Sequence, residues 1–347
     1  MSGAAASAES IERAKRLQHE AGVLDLHVDS IIQQRLFGYD VEKRHNSLRP
    51  GQPLFWHADV PRMIDAGYAG ACLGIHFFPW ESERGPREAN AQIDYLDRVC
   101  AHNSGVFRVH TAADWARARA AGKLALAPGV EGAHILNGSL DNLDRLLERG
   151  IAYLTLAHFS KNSAATPSMG RGANEEDRLT PFGVEVVRRL NAAGVVVDVS
   201  HLNMPCVLHA AEVCDAPLLA THSGAQSVNA HRRLLSDAAI DAIAARDGAI
   251  GIIFSPGFLK GNRTAGSEAV VEHIDTIASR VGIRHVCIGS DYDGWLPAIL
   301  SDHRDCLDLV RITALLLERG YTDADVAAVL SGNARRVIEA AAARAAV

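Results

Sequence analysis

Short apolar runs alternate along the chain with longer segments that have helical spacing. Each of eight runs is bounded by polar, Gly or Pro residues and has the length of a buried strand. The runs are Val23–Val28, Ala71–Phe78, Leu124–Val130, Ala152–Ala157, Val195–Ser200, Leu218–Thr221, Ala249–Phe254 and Val286–Ser290. In the segment 141–149, Leu143, Leu146 and Leu147 fall on one helical stripe. This alternation predicts parallel strands joined by right-handed helical crossovers.

Eight strand and helix units in one chain close most economically into a barrel. We therefore predict an α/β fold, a (β/α)8 TIM barrel. The prediction is a single domain over residues 1–347, with an N-terminal helix in 1–20 and a C-terminal helical cap over 322–343 that breaks at Ser331–Gly332. Two long segments, 30–56 and 160–180, are expected to be loops at the rim, the second forming either a lid or a mobile surface loop.

Composition excludes several classes of partner. Lys and Arg number 35 against 41 Asp and Glu, and the net charge of -6 gives no basic field for nucleic acid or an anionic membrane. The six cysteines form no C-x-x-C pair, so buried thiols are expected. The amino terminus lacks a signal-peptide pattern, and no run approaches the ~20 apolar residues that span a bilayer. We expect a cytoplasmic protein without a lipid anchor.

Candidate metal ligands stand at the predicted strand ends, where such barrels place their chemistry. His27 and Asp29 in LDLHVDS project to the same side of the first strand. Glu131 follows the third run, and its two oxygens could bridge metal ions about 3.5–4 Å apart. His201 and His222 end the fifth and sixth runs, so their rings can converge on a second ion. Each residue alone is more often structural, but their shared position predicts a binuclear zinc centre of the metal-dependent hydrolase type.

Three further polar residues near these strand ends indicate catalytic chemistry. Asp291 ends the eighth run, beside the first, and could bind a metal or hold the attacking water and carry its proton. Asp293 competes for this role, although its position in a turn with Gly294 favours shaping the loop. His158 ends the fourth run, where a donor could stabilise an oxyanion, with a packing role as the alternative.

Two histidines and an arginine pair complete the candidate site. His134 is expected to support a ligand by hydrogen bonding, and His76, among aromatic residues, is expected to form pocket wall. In the loop after the sixth run, a guanidinium could bind a substrate carboxylate through two hydrogen bonds. Spacing alone does not separate Arg232 from Arg233, and a surface arginine is the ordinary alternative.

The chain resembles the membrane (renal) dipeptidases, a family of zinc metallopeptidases with many bacterial members. The resemblance runs from about Leu24 to Ile338. Its motifs are LDLHVDS, GVEGAH, YLTLAH, LTPFG, VVDVSHLN, THSGAQSVNAHRR, GIIFSPGFL, VCIGSDYDG and LLERGYTDADVAAVLSGNARRV, in the family's order.

The resemblance implies two zinc ions with a hydroxide between them. It implies one ion held by His27, Asp29 and Glu131, and the other by Glu131, His201 and His222. It also implies that His158 polarises the scissile carbonyl, that Arg233 rather than Arg232 binds the substrate carboxylate, and that Asp291 handles the proton of the water. Val28 and Ser255 depart from the residues of many relatives, and Ser255 is expected to alter contacts to the substrate and so to affect specificity more than activity.

The predicted function is hydrolysis of dipeptides, with a D-residue tolerated at the carboxyl end by resemblance. A homodimer is expected by analogy with relatives. One alternative is another metal hydrolase of the amidohydrolase type, acting on N-acyl amino acids, lactones or cyclic amides with the same ligands. A second is a non-catalytic metal-binding barrel, which would be expected to have lost some of the ligands.

Overall fold

Parallel strands form the centre of the molecule. The computed structural model describes residues 6–45, 55–78, 80–294 and 299–345. In these ranges nine strands pair in parallel. They are β1 (Val23–Val28), β2 (Tyr68–Ile75), β3 (Val106–Arg108), β4 (Leu124–Glu131), β5 (Tyr153–Thr155), β6 (Val196–Asp198), β7 (Leu219–Ser223), β8 (Ala249–Ile252) and β9 (Val286–Ile288).

Eight of these strands close into a ring. Its order is β2, β1, β9, β8, β7, β6, β5 and β4, and β4 pairs back to β2 from Gly70↔Ala125 to Ile75↔Val130. The predicted TIM barrel is therefore confirmed. The remaining strand, β3, lies outside the ring and pairs with the start of β4. The sequence did not reveal β3, because three residues are too few to show a period.

Helices follow the strands and cover the barrel. They are α1 (Ala8–Ala21), α2 (Ser30–Phe37), α3 (Val60–Asp65), α4 (Gly85–His102), α5 (Ala112–Ala120), α6 (Leu140–Glu148), α7 (Pro181–Ala193), α8 (Met204–Val213), α9 (Asp237–Ala245), α10 (Pro256–Lys260), α11 (Ser267–Val281), α12 (Val310–Glu318), α13 (Asp323–Ala327) and α14 (Asn333–Ala345). Short 3-10 turns span Ala133–Leu136, Ile283–His285 and Cys306–Leu309. On α6, Leu143 and Leu146 of the predicted stripe are buried.

The ends of α7 show how local sequence fixes these elements. The Thr180 side chain accepts a hydrogen bond from the Gly183 amide, and Pro181 occupies the first turn. Gly194 ends the helix in the left-handed conformation, with φ 68°. The helix that follows the 160–180 segment is thus delimited by its own residues.

Two sequence expectations about local structure are corrected. The start of the 30–56 segment is helical rather than a loop, because α2 begins directly after β1; residues 46–54 of that segment lie outside the described residues. The C-terminal cap has no break at Ser331–Gly332, because a π-helical turn, Ala328–Gly332, joins α13 to α14. Ser331 Oγ donates to Ala21 O at 3.2 Å, which fastens this turn to the end of α1, and Asn333 Nδ2 donates to Val286 O at 2.8 Å, which fastens the start of α14 to β9.

The core is apolar and its cysteines are free. Side chains such as Leu26, Leu126 and Ile250 on the barrel strands are fully buried. All six cysteines are unpaired, and only Cys100 is less than buried, as the composition predicted. In the part of the chain that the structure describes, no helix combines the length and apolar character needed to cross a membrane.

Candidate metal centre

The first half of the site lies at the end of β1. His27 is in the strand, and Asp29 follows it as the residue before α2, where its side chain makes no capping hydrogen bond. His27 Nε2 lies 3.3 Å from Asp29 Oδ1, yet both atoms are buried and neither has a hydrogen-bond partner among the described residues. A Cβ on Gly74 would lie 1.8 Å from Asp29 Oδ1, so a glycine is required for this approach. Two buried polar atoms are thus left available for a ligand.

Glu131, the last residue of β4, lies at the centre of the site. Its Oε1 is 3.5 Å from His27 Nε2, 3.0 Å from His201 Nε2 and 3.4 Å from His222 Nε2. One carboxylate oxygen therefore faces three imidazole nitrogens that come from different strand ends. This is the position that a residue shared between two metal ions needs.

The second half of the site pairs two imidazoles. His222 belongs to β7, and His201 follows β6 with a positive φ of 67°, a conformation that is uncommon for residues other than glycine. Their Nε2 atoms lie 2.9 Å apart. The His222 ring also stacks on the His27 ring, with centroids 4.0 Å apart. The two halves are therefore in direct contact.

Hydrogen bonds at the far nitrogen orient two of these rings. Tyr153 Oη lies 2.6 Å from His27 Nδ1. Thr221 Oγ1 lies 2.8 Å from His222 Nδ1 and donates to Asp198 Oδ2 at 2.8 Å. With Nδ1–H donated to these hydroxyl oxygens, Nε2 is the nitrogen that each ring turns toward the site. These partners could not be identified from the sequence, since their side chains lie on β5 and β6 or next to a candidate ligand.

The electrostatics of the two halves differ. Burial lowers the pKa of His201 and His222 well below the usual value, and the positive charge of Arg233 adds to this, so both rings are neutral. Burial also acts to lower the pKa of His27, but nearby Tyr153, Asp29 and Glu131 outweigh it and raise that pKa well above the usual value. Burial and repulsion from Asp29 raise the pKa of Glu131. Carboxylates crowded in this way favour a cation between them.

The donor set fits divalent metal ions. His27, Asp29 and Glu131 each bring one possible ligand atom within 4.8 Å of the others, and so do Glu131, His201 and His222. The two groups share Glu131. Nitrogen and oxygen donors of this kind suit zinc, and His27 Nε2 and Asp29 Oδ1 have no hydrogen-bond partner that would compete with it.

Asp291 borders the centre, whereas Asp293 does not. Asp291 has a positive φ of 59°, and its amide donates a hydrogen bond to His27 O at 3.0 Å. This hydrogen bond holds Asp291 beside the end of β1. Burial and repulsion from Asp29 raise its pKa well above the usual value. Asp293 instead accepts from Ser30 Oγ at 2.6 Å and from the His57 amide at 2.7 Å. Asp293 therefore fastens loops together, as its turn position suggested.

His158 and His76 form a pair on the opposite wall. His158 Nε2 lies 3.6 Å from Glu131 Oε1, and His158 Nδ1 lies 3.2 Å from His76 Nε2. Gln92 holds the backbone of His76 through both its amide and its carbonyl. Burial lowers the pKa of His76 to about 3, so its ring is neutral. His76 is thus more than the pocket wall that its aromatic neighbours suggested, because it contacts a candidate catalytic residue.

His134 supports the wall rather than a ligand. Its Nε2 lies 3.3 Å from the carbonyl oxygen of Phe77, in the segment that follows His76. Burial lowers its pKa to about 4. The expected hydrogen bond from His134 to a candidate metal ligand is not among those of the described residues, because its ring turns toward this backbone carbonyl.

Arg233 is buried without a partner, and Arg232 is not. Only 3% of Arg233 is exposed, and its Nε, Nη1 and Nη2 atoms have no hydrogen-bond partner among the described residues. Its charge acts on the carboxylates of Asp291 and Glu131, which places it beside the centre. The Arg232 side chain is 71% exposed, with Glu175 3.9 Å away. The structure therefore separates the two arginines that spacing could not.

Comparison with known proteins identifies the family. The model of the membrane dipeptidases, peptidase family M19, matches residues 11–347. The chain belongs to the membrane dipeptidase family. It is 30% identical over 316 residues to the dipeptidase tcpJ of Claviceps purpurea, covering 87% of this chain and 72% of that protein.

Solved structures agree with the fold of this M19 peptidase. The probable dipeptidase PvdM from Pseudomonas aeruginosa superimposes with a TM-score of 0.86 at 21% identity, covering 97% of this chain and 99% of that one. A metallopeptidase from Rhodobacter sphaeroides, bound to a phosphinate mimic of the dipeptide L-Ala-D-Ala, gives a TM-score of 0.80 at 24% identity, over 92% and 99% of the two chains. Membership in the family makes the protein a peptide-bond hydrolase that uses metal ions.

Proposed function

We propose that this M19 peptidase is a dipeptidase that holds two zinc ions. His27, Asp29 and Glu131 would hold one ion, and Glu131, His201 and His222 would hold the other. Zinc bound there would supply Lewis acidity and lower the pKa of water toward ~7. The unpartnered His27 and Asp29 atoms and the neutral rings of His201 and His222 support this assignment.

The observation that carries the choice of substrate is Arg233. A buried guanidinium with three unpartnered nitrogens is costly unless a ligand satisfies it. A carboxylate matches it in charge and can accept two parallel hydrogen bonds. A dipeptide places its terminal carboxylate one residue from the scissile bond, whereas an internal bond of a longer peptide does not. A dipeptide therefore fits the site, whereas cleavage at an internal bond of a longer chain does not.

Two side chains of the chain act on the reacting atoms in this proposal. His158 donates from Nε2 to the oxygen of the scissile carbonyl as negative charge develops on it. His76 Nε2–H donates to His158 Nδ1, which selects the tautomer that His158 needs. As the oxygen of the attacking water adds to the carbonyl carbon, Asp291 accepts a proton from that water, and it delivers the proton to the leaving amine nitrogen when the C–N bond breaks.

Tolerance of a D-residue at the carboxyl end is part of the proposal. It is supported by the L-Ala-D-Ala mimic bound to the Rhodobacter sphaeroides metallopeptidase. Arg233 would orient either enantiomer through the same carboxylate, so the stereochemistry is left to the surrounding pocket wall.

A substrate panel with the zinc-loaded protein tests the proposal. The panel contains dipeptides with L- or D-Ala at the carboxyl end, the same dipeptides amidated at that end, and N-acetyl amino acids. Release of amino acids from the dipeptides, with the amides at least ~10-fold slower in kcat/KM, is expected because Arg233 binds a terminal carboxylate. Hydrolysis of the N-acetyl amino acids alone would favour the amidohydrolase alternative. No release from any dipeptide would contradict the proposal.

A further inference from the structure

A cavity of about 690 Å³ opens above the metal centre. Its walls are largely apolar, formed by Ile32, Leu36, Phe78, Phe159, Met169 and Phe258. Asp29, Glu131 and Asp291 line its floor. Arg35 is the one arginine or lysine among the described residues that line it. The cavity is therefore an apolar pocket with a single permanent cation in its wall.

Helix α2 places Arg35 on the cavity side. Asp29 immediately precedes this helix, and Ile32, Arg35 and Leu36 all line the cavity, at the spacing of one helical face. Arg35 is six residues beyond Asp29, a rise of about 9 Å along the helix axis. Its guanidinium carbon lies 5.6 Å from the ring centroid of Phe77 and 5.9 Å from that of Phe78. Contacts with these aromatic rings hold the guanidinium in the wall of the cavity.

The charge of Arg35 is not neutralised within the described residues. Its Nε is buried and has no hydrogen-bond partner there, and no carboxylate oxygen lies within ion-pair distance. The carboxylate that acts most on the pKa of Arg35 is Glu88, which itself accepts hydrogen bonds from Arg84 at 3.4 Å and Arg87 at 3.1 Å. A half-buried guanidinium of this kind gains from a carboxylate in the cavity, since charge-assisted hydrogen bonds are stronger where water is excluded.

Arg35 and Arg233 lie on opposite sides of the barrel mouth. Arg35 packs on Phe77 and Phe78 after β2, while Arg233 follows β7. The ring order runs from β2 through β1, β9 and β8 to β7, which is half of an eight-stranded ring. A dipeptide whose terminal carboxylate is bound by Arg233 and whose peptide bond lies at the centre would have its amino-terminal residue on the β2 side, where Arg35 lies.

We propose that Arg35 makes the enzyme selective for dipeptides whose amino-terminal residue is acidic, glutamate or aspartate. The selectivity rests on the proposed dipeptidase activity and adds a substrate class to it. The apolar wall accommodates the methylene groups of such a side chain, and Arg35 binds its carboxylate.

Matched dipeptides test this selectivity. Glu-Ala and Gln-Ala have the same shape and differ in charge, while Leu-Ala and Lys-Ala report on the apolar wall and on the opposite charge. The wild-type enzyme is expected to favour Glu-Ala over Gln-Ala by roughly tenfold in kcat/KM. In Arg35→Gln the ratio should fall to about one, and Arg35→Glu should favour Lys-Ala over Glu-Ala. High salt should reduce the wild-type ratio.

Arg84→Gln is the matched control. The Arg84 guanidinium also lies over the Phe77 ring, at 5.7 Å, but its side chain is 64% exposed, pairs with Glu88 and does not line the cavity. This variant should keep the wild-type ratio. Hydrolysis of Leu-Ala without preference for Glu-Ala, or an unchanged ratio in Arg35→Gln, would overturn the role of Arg35 alone. Failure to hydrolyse any dipeptide would overturn the proposed function together with it.

Discussion

Both halves of the candidate metal centre contain imidazole rings, but the pKa values of these rings are shifted in opposite directions. The pKa of His27 is raised because Tyr153, Asp29 and Glu131 outweigh burial, whereas the pKa values of His201 and His222 are lowered by burial and by Arg233. The position of an imidazole at a strand end therefore does not by itself determine its pKa. Its neighbours decide whether a metal ion must displace a proton from it.

The halves also differ in how their rings are oriented. His27 is hydrogen-bonded to the hydroxyl of Tyr153. His222 is hydrogen-bonded to the hydroxyl of Thr221, which donates its own hydrogen bond to Asp198. Glu131 belongs to both halves, at 3.5 Å or less from each of the three ligand rings. Substitutions can thus act on one half, on the other, or on the residue that joins them.

Replacing the shared residue should have the largest effect. Glu131→Gln removes a negative charge from both halves, and an amide is a poorer bridge between cations. Even groups that only support metal ligands are worth ~10–100-fold, so dipeptidase activity should fall by more than ~100-fold. Zinc content should fall below that of the wild-type protein, as measured by atomic emission. A variant with two zinc ions and full turnover would show that Glu131 is not the bridge.

Arg233→Ala should have the next largest effect, on substrate binding rather than on the metal. Loss of the carboxylate clamp is expected to raise KM by ~10–100-fold with a smaller change in kcat. Steady-state kinetics on one good dipeptide would measure both constants. Arg232→Ala is the control, since its side chain is exposed, and it should leave KM close to the wild-type value. An unchanged KM in Arg233→Ala would dismiss the clamp.

Two isosteric substitutions compare the orienting groups. Tyr153→Phe removes the hydroxyl bonded to His27, and Thr221→Val removes the one bonded to His222. Each should weaken zinc binding in its own half by ~10-fold or more, and leave the other half near its wild-type affinity. Competitive zinc titration against a chelator would resolve the two affinities. Equal weakening of both ions by either variant would contradict the division into halves.

The smallest effect concerns pH. His27 has a raised pKa, so the metal-free protein holds a proton there near neutral pH, and zinc must release it. Affinity at the His27 and Asp29 half should therefore rise with pH between about 6 and 8. His201 and His222 have lowered pKa values and lose no proton in this range, so their half should respond less.

Calorimetry in buffers with different ionisation enthalpies would count these protons. Asp29→Asn weakens the half that contains His27, and His222→Asn weakens the other half, so the two variants separate the two contributions. Glu131 is common to both halves and contributes to both variants alike. Equal numbers of protons released on zinc binding to the two variants would therefore contradict the assignment.

The sequence was sufficient to predict the barrel and the residues that gather at its mouth. Strand ends could be read from apolar runs, and His27 and Asp29 follow from the alternation of side chains along a strand. The partners that orient these residues could not be predicted in this way. The contact of His76 with His158 and that of Tyr153 with His27 depend on the curvature of the closed sheet, which brings distant strands together.

Some local backbone features could not be predicted from the pattern of apolar and polar residues either. Strand β3 is too short to have a period, and α2 begins where a loop was expected. The π-helical turn before α14 shows that a Ser-Gly pair does not end a helix when tertiary hydrogen bonds hold its turn. The single-domain organisation, the homodimer and the cytoplasmic location stay predictions.

Anomalous diffraction at the zinc absorption edge, from crystals of the zinc-loaded protein, would locate the metal ions themselves. Two peaks are expected about 3.5–4 Å apart, with Glu131 between them, His27 and Asp29 beside one, and His201 and His222 beside the other. A single peak, or zinc bound away from these five side chains, would contradict the proposed binuclear centre.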